Sequence, residues 1–185
     1  MKSKEVKSFL DGFSGDIKDY LFQDLDRWVE VLKCKKEDPF EFFYSTRQEF
    51  RSLIRYRAMI AQKKFSCANI LGGIIKIHGG SSNVWVTNLF LSCSDIGPGL
   101  YIEHGFSTIV FAKSIGKNFY INQNVTIGTG RGGNPTIGDN VRVGANSVII
   151  GNIFVADDVK VGAGAVLNFE VPKGSTVISQ KCRVI

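Results

Sequence analysis

Two histidines are the side chains of this sequence best suited to proton transfer near neutral pH. One is His104, in the tripeptide Glu103-His104-Gly105, and the other is His78. An imidazole, whose pKa is ordinarily about 6.5, can take a proton from an attacking hydroxyl and return it to a leaving group. His104 falls where a sequence repeat is interrupted. We therefore interpret His104 as a catalytic base and His78 as a structural residue.

The sequence offers few ligands for a metal ion. A zinc site built from three histidines of one chain needs more than the two that are present. The cysteines are widely scattered and form no C-x-x-C pair; they are Cys34, Cys67, Cys93 and Cys182. We therefore expect no metal, reduced thiols and a cytoplasmic location.

A second candidate segment is the glycine-rich stretch at residues 129–135, Thr-Gly-Arg-Gly-Gly-Asn-Pro. It contains one cation, Arg131, and one side-chain amide, Asn134. Backbone amides and a guanidinium can hold an anion or line an acceptor pocket. The spacing matches neither a P-loop nor a dinucleotide fingerprint. Arg131 and Asn134 are therefore candidate substrate-binding residues, and a plain surface loop remains the alternative.

A six-residue repeat must position these segments. Large or branched apolar residues recur every six positions, with one extra residue between Ile102 and Ile109 and four between Ile127 and Ile137. The repeated positions are Val84, Phe90, Ile96, Ile102, Ile109, Ile115, Ile121, Ile127, Ile137, Val143, Ile149, Val155, Val161 and Leu167. A period of six fits neither a helix face nor a pleated strand, but it fits a triangular coil with one hexapeptide on each side.

The repeat predicts a mainly β fold, a parallel β-helix of four to five coils over residues 83–185. Glycine follows the apolar residue at several positions, where we expect it to help the chain turn; these are Gly97, Gly116, Gly128, Gly138, Gly144 and Gly162. The two interruptions are then loops extruded from a rigid scaffold, where functional residues tend to lie. An open end of such a solenoid needs a cap.

Residues 1–82 form a second region, which is helical in its first part. Apolar residues spaced by three or four positions define one helix face; they are Ile17, Leu21, Leu25, Trp28 and Leu32. Asp38-Pro39 ends this helix, and Thr46 with Glu49 forms a capping box for a second helix that runs to about Ala61. Residues 66–82 show neither period and stay unassigned.

Composition and charge exclude several function classes. The chain is 44% hydrophobic and 22% charged, close to the average for soluble globular proteins, which argues against disorder and coiled coils. Residues 1–65 carry 14 basic and 11 acidic side chains and the remainder 9 and 6, so each part has a net charge of +3. No basic arm for nucleic acid exists. The longest apolar stretch, residues 69–77, is too short to span a membrane.

These segments resemble the hexapeptide-repeat acyltransferases, most closely the serine acetyltransferase group with its relatives in polysaccharide loci. Residues 96–104 are similar to the stretch that ends at that group's catalytic Asp-His pair, and residues 143–153 and 160–165 to its cofactor-binding coils. Residues 24–28 and 50–57 are similar to its N-terminal helical region. The resemblance implies a left-handed β-helix that uses acetyl-CoA as co-substrate.

The resemblance also implies roles for individual residues. His104 matches the base that takes the acceptor's proton as its oxygen attacks the thioester carbonyl, and Glu103 matches the acid that precedes that base. The residues that match the coenzyme A contacts are Gly144, Ala145, Lys160, Gly162 and Ala163. Because these enzymes hold the pantetheine arm between adjacent β-helices, a homotrimer, possibly a dimer of trimers, is implied.

The sequence departs from serine acetyltransferases where that group binds serine. Their extruded loop usually contains Asp-Arg-His-Pro, whose two cations hold the serine carboxylate, but residues 132–135 here are Gly-Gly-Asn-Pro. The acid that orients the imidazole is replaced by Leu89, and the usual C-terminal Gly-x-Pro-Ala turn by residues 179–182. An unpaired buried carboxylate is costly, so the sequence favours a sugar hydroxyl over serine unless Arg131 substitutes.

We therefore predict an acetyl-CoA-dependent O-acetyltransferase whose acceptor is a sugar hydroxyl in surface-polysaccharide biosynthesis. Serine O-acetylation in cysteine biosynthesis is the first alternative. Amino-sugar N-acetylation uses similar geometry, and a non-catalytic β-helix scaffold would need no histidine at the break. Thioester cleavage with a panel of acceptors separates these functions.

Overall fold

The computed structural model describes residues 15–61 and 89–180, which form three helices and a parallel β-solenoid of about five turns. The predicted repeat position at Val84 lies outside the described residues. So do His78, Cys67, Cys182 and the whole of the unassigned junction at residues 66–82.

The helices are α1 (Asp16–Leu32), α2 (Pro39–Thr46) and α3 (Gln48–Ala61). Helix α1 confirms the predicted periodicity, since Leu21 and Trp28 are buried on one face together with Asp24. It ends at Lys33, which adopts the left-handed conformation common just after helices (φ 49°).

Helix α2 was not predicted, because Asp38-Pro39 was interpreted only as a break. The pair also starts a helix: the Asp38 side chain accepts a hydrogen bond from the Glu41 amide (2.9 Å), and proline is favoured in the first helical turn. The predicted capping box at Thr46 is wrong. The Thr46 hydroxyl instead donates to the Phe42 carbonyl (2.6 Å) inside α2, and α3 begins at Gln48.

Thirteen strands of two or three residues make up the described part of the solenoid. They are β1 (Leu89–Leu91), β2 (Tyr101–Ile102), β3 (Thr108–Val110), β4 (Ser114–Ile115), β5 (Tyr120–Ile121), β6 (Thr126–Gly128), β7 (Thr136–Ile137), β8 (Arg142–Val143), β9 (Val148–Ile150), β10 (Phe154–Val155), β11 (Lys160–Val161), β12 (Val166–Leu167) and β13 (Thr176–Val177).

Parallel pairing groups the strands into three sheets, one for each side of the triangular coil. Sheet A has the order β1-β3-β6-β9-β12, sheet B the order β4-β7-β10, and sheet C the order β2-β5-β8-β11-β13. Buried apolar residues stack in columns inside the coil, as in sheet C with Ile102, Ile121, Val143 and Val161. The predicted hexapeptide architecture is confirmed.

Two predicted inward positions are wrong by one residue. In sheet A, Val110 pairs with Ile127 and is fully buried, whereas Ile109 is 37% exposed. Likewise Leu91 is buried and Phe90 only partly so. The side of the coil from Ile102 to the next inward residue, Val110, is therefore eight residues long, two more than the repeat. The following side, or rung, from Val110 to Ile115 is five residues long, one fewer than the repeat.

The glycines after the apolar positions do not make the turns. The left-handed residue lies three after the apolar position and is usually Asn, Asp or Gly, as at Asn118 (φ 56°) and Asn140 (φ 59°). These side chains also stack, since the Asn118 amide donates to Asn140 Oδ1 (3.0 Å). Most of these glycines allow close stacking of coils: a Cβ on Gly97 would lie 2.8 Å from the Gly116 carbonyl carbon, whereas a Cβ on Gly128 would meet nothing within 4 Å.

A buried ion pair attaches the helices to the first described coil. Arg57 of α3 donates to both carboxylate oxygens of Asp24 of α1 (2.8 and 3.0 Å) and to the carbonyls of Ile96 and Gly97 (2.6 and 2.7 Å). Asp24 Oδ1 in turn accepts from the Gly99 and Leu100 amides (2.8 and 2.9 Å). Burial raises the pKa of Asp24, and Arg57 with the two amides opposes that rise.

Aromatic packing completes this cap. The Trp28 indole N–H donates to the Leu100 carbonyl (3.0 Å), and its ring lies 4.7 Å from that of Tyr101, 5.2 Å from Phe50 and 5.8 Å from Phe43. The Tyr56 hydroxyl donates to the Cys93 carbonyl (2.7 Å). The helices thus satisfy backbone groups at the coil's end that would otherwise be buried without partners. None of the described helices is long and apolar enough to cross a membrane.

Arg57→Met should destabilise the fold strongly, because it leaves the Asp24 carboxylate buried without its cation. Breaking such a pair from one side costs on the order of 3–5 kcal/mol. Urea unfolding at fixed protein concentration measures the loss. Lys173→Met, which removes an exposed ion pair with Asp157, is the matched control and should leave the midpoint unchanged. Equal effects of the two substitutions would contradict the capping role of Arg57.

Candidate functional site

His104 lies directly after sheet C, at the corner where the chain crosses to sheet A. The lengthened rung between Ile102 and Val110 places it outside the coil, and its side chain is exposed. Its backbone is left-handed (φ 59°), as is that of Ser107 (φ 53°), and its carbonyl accepts from the Phe106 amide. A non-glycine residue in this conformation carries some strain, which here goes with an exposed imidazole.

A depression of about 240 Å³ lies beside His104, between the first coil and the helices. Its floor consists of Trp28, Tyr101 and Ile102, which are all buried. Its remaining lining residues are Leu32, Arg47, Glu49, Glu103 and His104. Half of the lining is apolar or aromatic and half is charged or titratable, so the depression suits a small polar molecule.

The charges around this pocket act on Tyr101. Burial raises the pKa of the Tyr101 hydroxyl above its ordinary value, the nearby Glu103 carboxylate adds to the rise, and Arg47 counteracts it. Neither the imidazole of His104 nor the carboxylate of Glu103 makes a hydrogen bond with any residue that the structure describes. Both are therefore available to a bound molecule.

Leu89 lies beneath the His104 loop, where the resemblance indicated that an acid is usual. A Cβ on Gly105 would be 3.3 Å from Leu89 Cδ2, so the leucine packs under the residue that follows His104. An alkyl side chain cannot hydrogen-bond the imidazole. Orientation of His104 must therefore come from another group.

The corner that carries His104 is repeated in each coil, and the pairing register of sheet C aligns the residues on it. Ile102 pairs with Ile121, Ile121 with Val143 and Val143 with Val161, so the residues two positions later lie at the same corner of successive coils, with His104 on the lengthened side of the first one. These residues are His104, Gln123, Ala145 and Ala163. At about 4.8 Å per coil, Ala145 is roughly 10 Å from His104 along the axis.

Two features make this edge accessible to a ligand. The backbone amides of Ala145 and Ala163 donate to no group in the part of the chain that the structure describes. Gly144 and Gly162 precede them and add no side chain to the edge; a Cβ on Gly144 would be 2.7 Å from the Ala163 nitrogen. The structure thus brings four of the five predicted cofactor residues onto the edge that begins at His104.

Lys160 lies on the outward face of sheet C beside that edge. Tyr101, Tyr120, Arg142 and Lys160 are successive partners in the register, so they form an outward ladder that starts at the pocket floor. The Tyr101 and Tyr120 rings stack at 5.1 Å, and the Arg142 guanidinium lies 5.0 Å from the Tyr120 ring centroid. The end of the ladder farthest from His104 therefore carries two cations.

The glycine-rich loop follows sheet A and lies at a different corner from His104. Gly130 and Gly133 pair through two backbone hydrogen bonds (3.0 and 3.3 Å), and the Thr129 hydroxyl bonds Asn134 Oδ1 (2.6 Å). Arg131 is at the exposed tip of this turn. Within one chain, Arg131 and Asn134 do not line the pocket beside His104.

Sequence reasoning missed several residues of this site. Trp28, Arg47 and Glu49 line the pocket only because the helices dock on the first coil, and no local pattern signals that docking. Gln123 and Arg142 could have been found from the six-residue period, since they occupy repeat positions next to predicted ones. Gln123 is notable because its buried Oε1 atom has no described partner. No cluster of three metal-ligating side chains occurs among the described residues.

Comparison with known proteins identifies the type of fold and of sequence repeat. The profile of the bacterial transferase hexapeptide, with six repeats, matches residues 134–168. Solved structures with the same fold include serine acetyltransferase isoform 3 from Entamoeba histolytica in complex with cysteine (TM-score 0.68, 20% identity, 91% of this chain and 60% of that one). The Neisseria gonorrhoeae serine acetyltransferase in complex with serine has a TM-score of 0.66 (22% identity, 97% and 73%). A third solved structure, a serine acetyltransferase in complex with CoA, has a TM-score of 0.50 and 20% sequence identity, and the match covers 91% of this chain and 69% of that one.

Sequence similarity then points to one group. Serine acetyltransferase from Helicobacter pylori (strain ATCC 700392 / 26695) is 41% identical over 95 residues, 49% of this chain and 56% of the relative. Serine acetyltransferase from Staphylococcus aureus (strain Mu50) is 36% identical over 128 residues, which are 63% of this chain and 54% of the relative. The chain spans just over half the length of these relatives. It is thus a hexapeptide-repeat β-solenoid protein similar to serine acetyltransferases.

Proposed function

We propose that this protein is an acetyl-CoA-dependent O-acetyltransferase in which His104 is the general base. The observation that carries the proposal is the single solenoid edge that joins the exposed His104 to the free amides of Ala145 and Ala163. The relatives support it, because those similar in sequence are serine acetyltransferases, and one structure with this fold contains CoA.

The proposed chemistry uses few groups. The imidazole of His104 removes the proton of the acceptor hydroxyl while its oxygen attacks the thioester carbonyl carbon. The tetrahedral intermediate then expels the coenzyme A thiolate, which takes up the proton from the imidazolium. The O-acetyl ester and the free thiol are the products, and no metal is required.

The edge described above fits the coenzyme A portion of the substrate. Free amides spaced by one coil can bond to the amide groups of the pantetheine arm, and the glycines before them leave room for it. Lys160 and Arg142, farther along, can meet phosphate charges. Acetyl-CoA would then lie along the solenoid axis, with its acetyl group at His104 and its phosphates near Lys160.

The names of the relatives change the expected acceptor. The sequence favoured a sugar hydroxyl because residues 129–135 lack two cations, yet the relatives similar in sequence are named as serine acetyltransferases and no comparison supports a saccharide. We therefore propose a small hydroxyl acceptor of the serine type. A sugar hydroxyl is the second candidate. The observation that favours it is that the loop has only one cation, Arg131, with which to hold a carboxylate.

His104→Ala should lower kcat by on the order of 10²- to 10⁴-fold, because it removes the general base. Coenzyme A affinity and the oligomeric state should change little. His78→Ala is the matched histidine control and should behave as wild type, and Glu103→Gln should have a milder effect than His104→Ala. Steady-state kinetics of thiol release measure all three, and a His104→Ala enzyme within threefold of wild type would refute the assignment.

Lys160→Met should raise the KM for acetyl-CoA about tenfold, since a hydrogen bond to a charged phosphate contributes about 1.5 kcal/mol at an exposed site. The effect should disappear with acetyl-pantetheine, which lacks the nucleotide phosphates. Lys113→Met, an exposed cation outside sheet C, serves as the control. An unchanged KM for Lys160→Met would remove Lys160 from the cofactor site.

We also propose that the protein assembles as a homotrimer or a dimer of trimers. Large apolar side chains are exposed on the last described coils, at Phe154 (48%), Val166 (59%), Phe169 (53%) and Ile178 (70%). Phe154 lies on sheet B and Val166 on sheet A, so exposed apolar side chains are available for subunit contacts on more than one side of the coil. In a ring of three solenoids, the loop at residues 129–135 of one protomer could reach the His104 pocket of its neighbour.

Light scattering on the full chain should therefore give the mass of a trimer or of a multiple of it. Phe154→Asp with Ile178→Asp should weaken the assembly and lower activity together, because the coenzyme site is shared between protomers. A stable monomer with full activity would contradict this arrangement.

A further inference from the structure

Arg47 is the cation of the pocket beside His104. Among the described residues that line this pocket, it alone carries a fixed positive charge, and it forms no ion pair with a described carboxylate. Glu49 and Glu103 supply two carboxylates around the same pocket, and His104 supplies the imidazole. The pocket therefore combines one cation, two anions and a base over an apolar floor.

The fold holds the Arg47 backbone in place. Arg47 links α2 to α3 in an extended conformation (φ −115°, ψ 111°), and its amide donates to the Phe43 carbonyl (2.8 Å). Its carbonyl accepts from the Arg51 amide in the first turn of α3 (3.2 Å). Phe43 and Phe50, on either side of it in sequence, are fully buried against Trp28. The backbone is thus fixed while the Arg47 side chain is exposed, and a guanidinium carried on a fixed backbone beside the pocket is suited to bind a carboxylate through two parallel hydrogen bonds.

We propose that Arg47 binds the carboxylate of a zwitterionic hydroxyl acceptor, a 2-amino-3-hydroxy acid of the serine type. The inference rests on the proposed acetyltransferase function. Such an acceptor has three features that match the pocket: a carboxylate for Arg47, an ammonium for Glu49 and Glu103, and a hydroxyl for His104. A neutral sugar carries no charge for these groups to recognise.

This assignment locates acceptor recognition in the helical cap. The extruded loop at residues 129–135 provides Arg131 alone, and that residue lies at another corner of the same chain. Arg47 lies on the same pocket as His104 within one protomer. The presence of only one cation in the loop is then compatible with an amino acid acceptor, because the carboxylate has a different partner.

The test compares L-serine with L-serinamide, in which the carboxylate is replaced by a neutral amide and the hydroxyl is kept. Wild-type enzyme should prefer L-serine by about ten- to a hundredfold in kcat/KM, the range expected for one charge-assisted contact. Arg47→Gln should bring the two values close together, mainly by raising the KM for L-serine and leaving kcat nearly unchanged. Arg47→Lys should restore part of the preference.

Two results would overturn the proposal. One is an Arg47→Gln enzyme that keeps the wild-type preference, and the other is loss of the preference in Arg131→Gln with Arg47 intact. Circular dichroism melting of each variant excludes unfolding as the cause. The serinamide rate supplies an internal check that the catalytic base still functions.

A separate measurement distinguishes this proposal from the proposed function. If wild-type enzyme acetylates no acceptor, the acetyltransferase proposal fails. Calorimetric titration with L-serine then tests the carboxylate site at Arg47 independently of any activity. Binding to wild type that is lost in Arg47→Gln supports the carboxylate site. Equal binding to the two proteins, or none to either, overturns it.

Discussion

The ion pair between Asp24 and Arg57 is the interaction on which the rest of this structure depends. A parallel solenoid ends in a coil whose inner side chains and backbone groups have no next coil to meet. Here one carboxylate and one guanidinium, both almost fully buried, bond to two carbonyls and two amides of residues 96–100. Because Asp24 and Arg57 come from different helices, the same contact joins α1 to α3 and fixes both on the coil.

The pocket beside His104 is a consequence of that capping. Trp28 lies one helical turn after Asp24, so the contact that satisfies the coil also brings the indole ring onto Tyr101. Arg47 and Glu49 stand at the start of the helix that ends near Arg57, and docking of that helix places them at the pocket. A residue that supports only the fold, such as Arg57, is therefore coupled to the geometry of this pocket.

The fold was largely predictable from the sequence, because the period of six is a direct record of the coil. The period failed only where neighbouring residues were both apolar. At Ile109-Val110 and Phe90-Leu91 either residue could face inward. The second of each pair does so, because it stacks on the inward residue of the next coil, and the sequence does not display that pairing. The turn positions were missed for a similar reason: the glycines after the apolar positions are as regular as the Asn positions, but at Gly97, Gly116 and Gly138 close contacts between coils, not the turn, require them.

The candidate site was predictable only where it follows the repeat or lies at an interruption of the repeat, as His104 does. Ala145 and Ala163 follow His104 along one edge at multiples of a coil, so the period that reveals the fold also aligns them. Arg47 and Trp28 obey no such rule, since their place depends on how separate helices meet the first coil.

A solenoid repeats one environment, so a specific site can form only where the repetition is broken. This chain breaks it in three places: at the capped end, at the lengthened rung after Ile102 and at the loop of residues 129–135. The first two breaks lie on the same coil and meet at His104, and they suffice to assemble a base, a cation and two carboxylates in one protomer. The third break lies at another corner, one coil further along, so within one protomer it is separate from the pocket beside His104. The pocket under the helical cap and the edge that carries Ala145 and Ala163 are thus built by different residues, and the loop at residues 129–135 belongs to neither within one protomer.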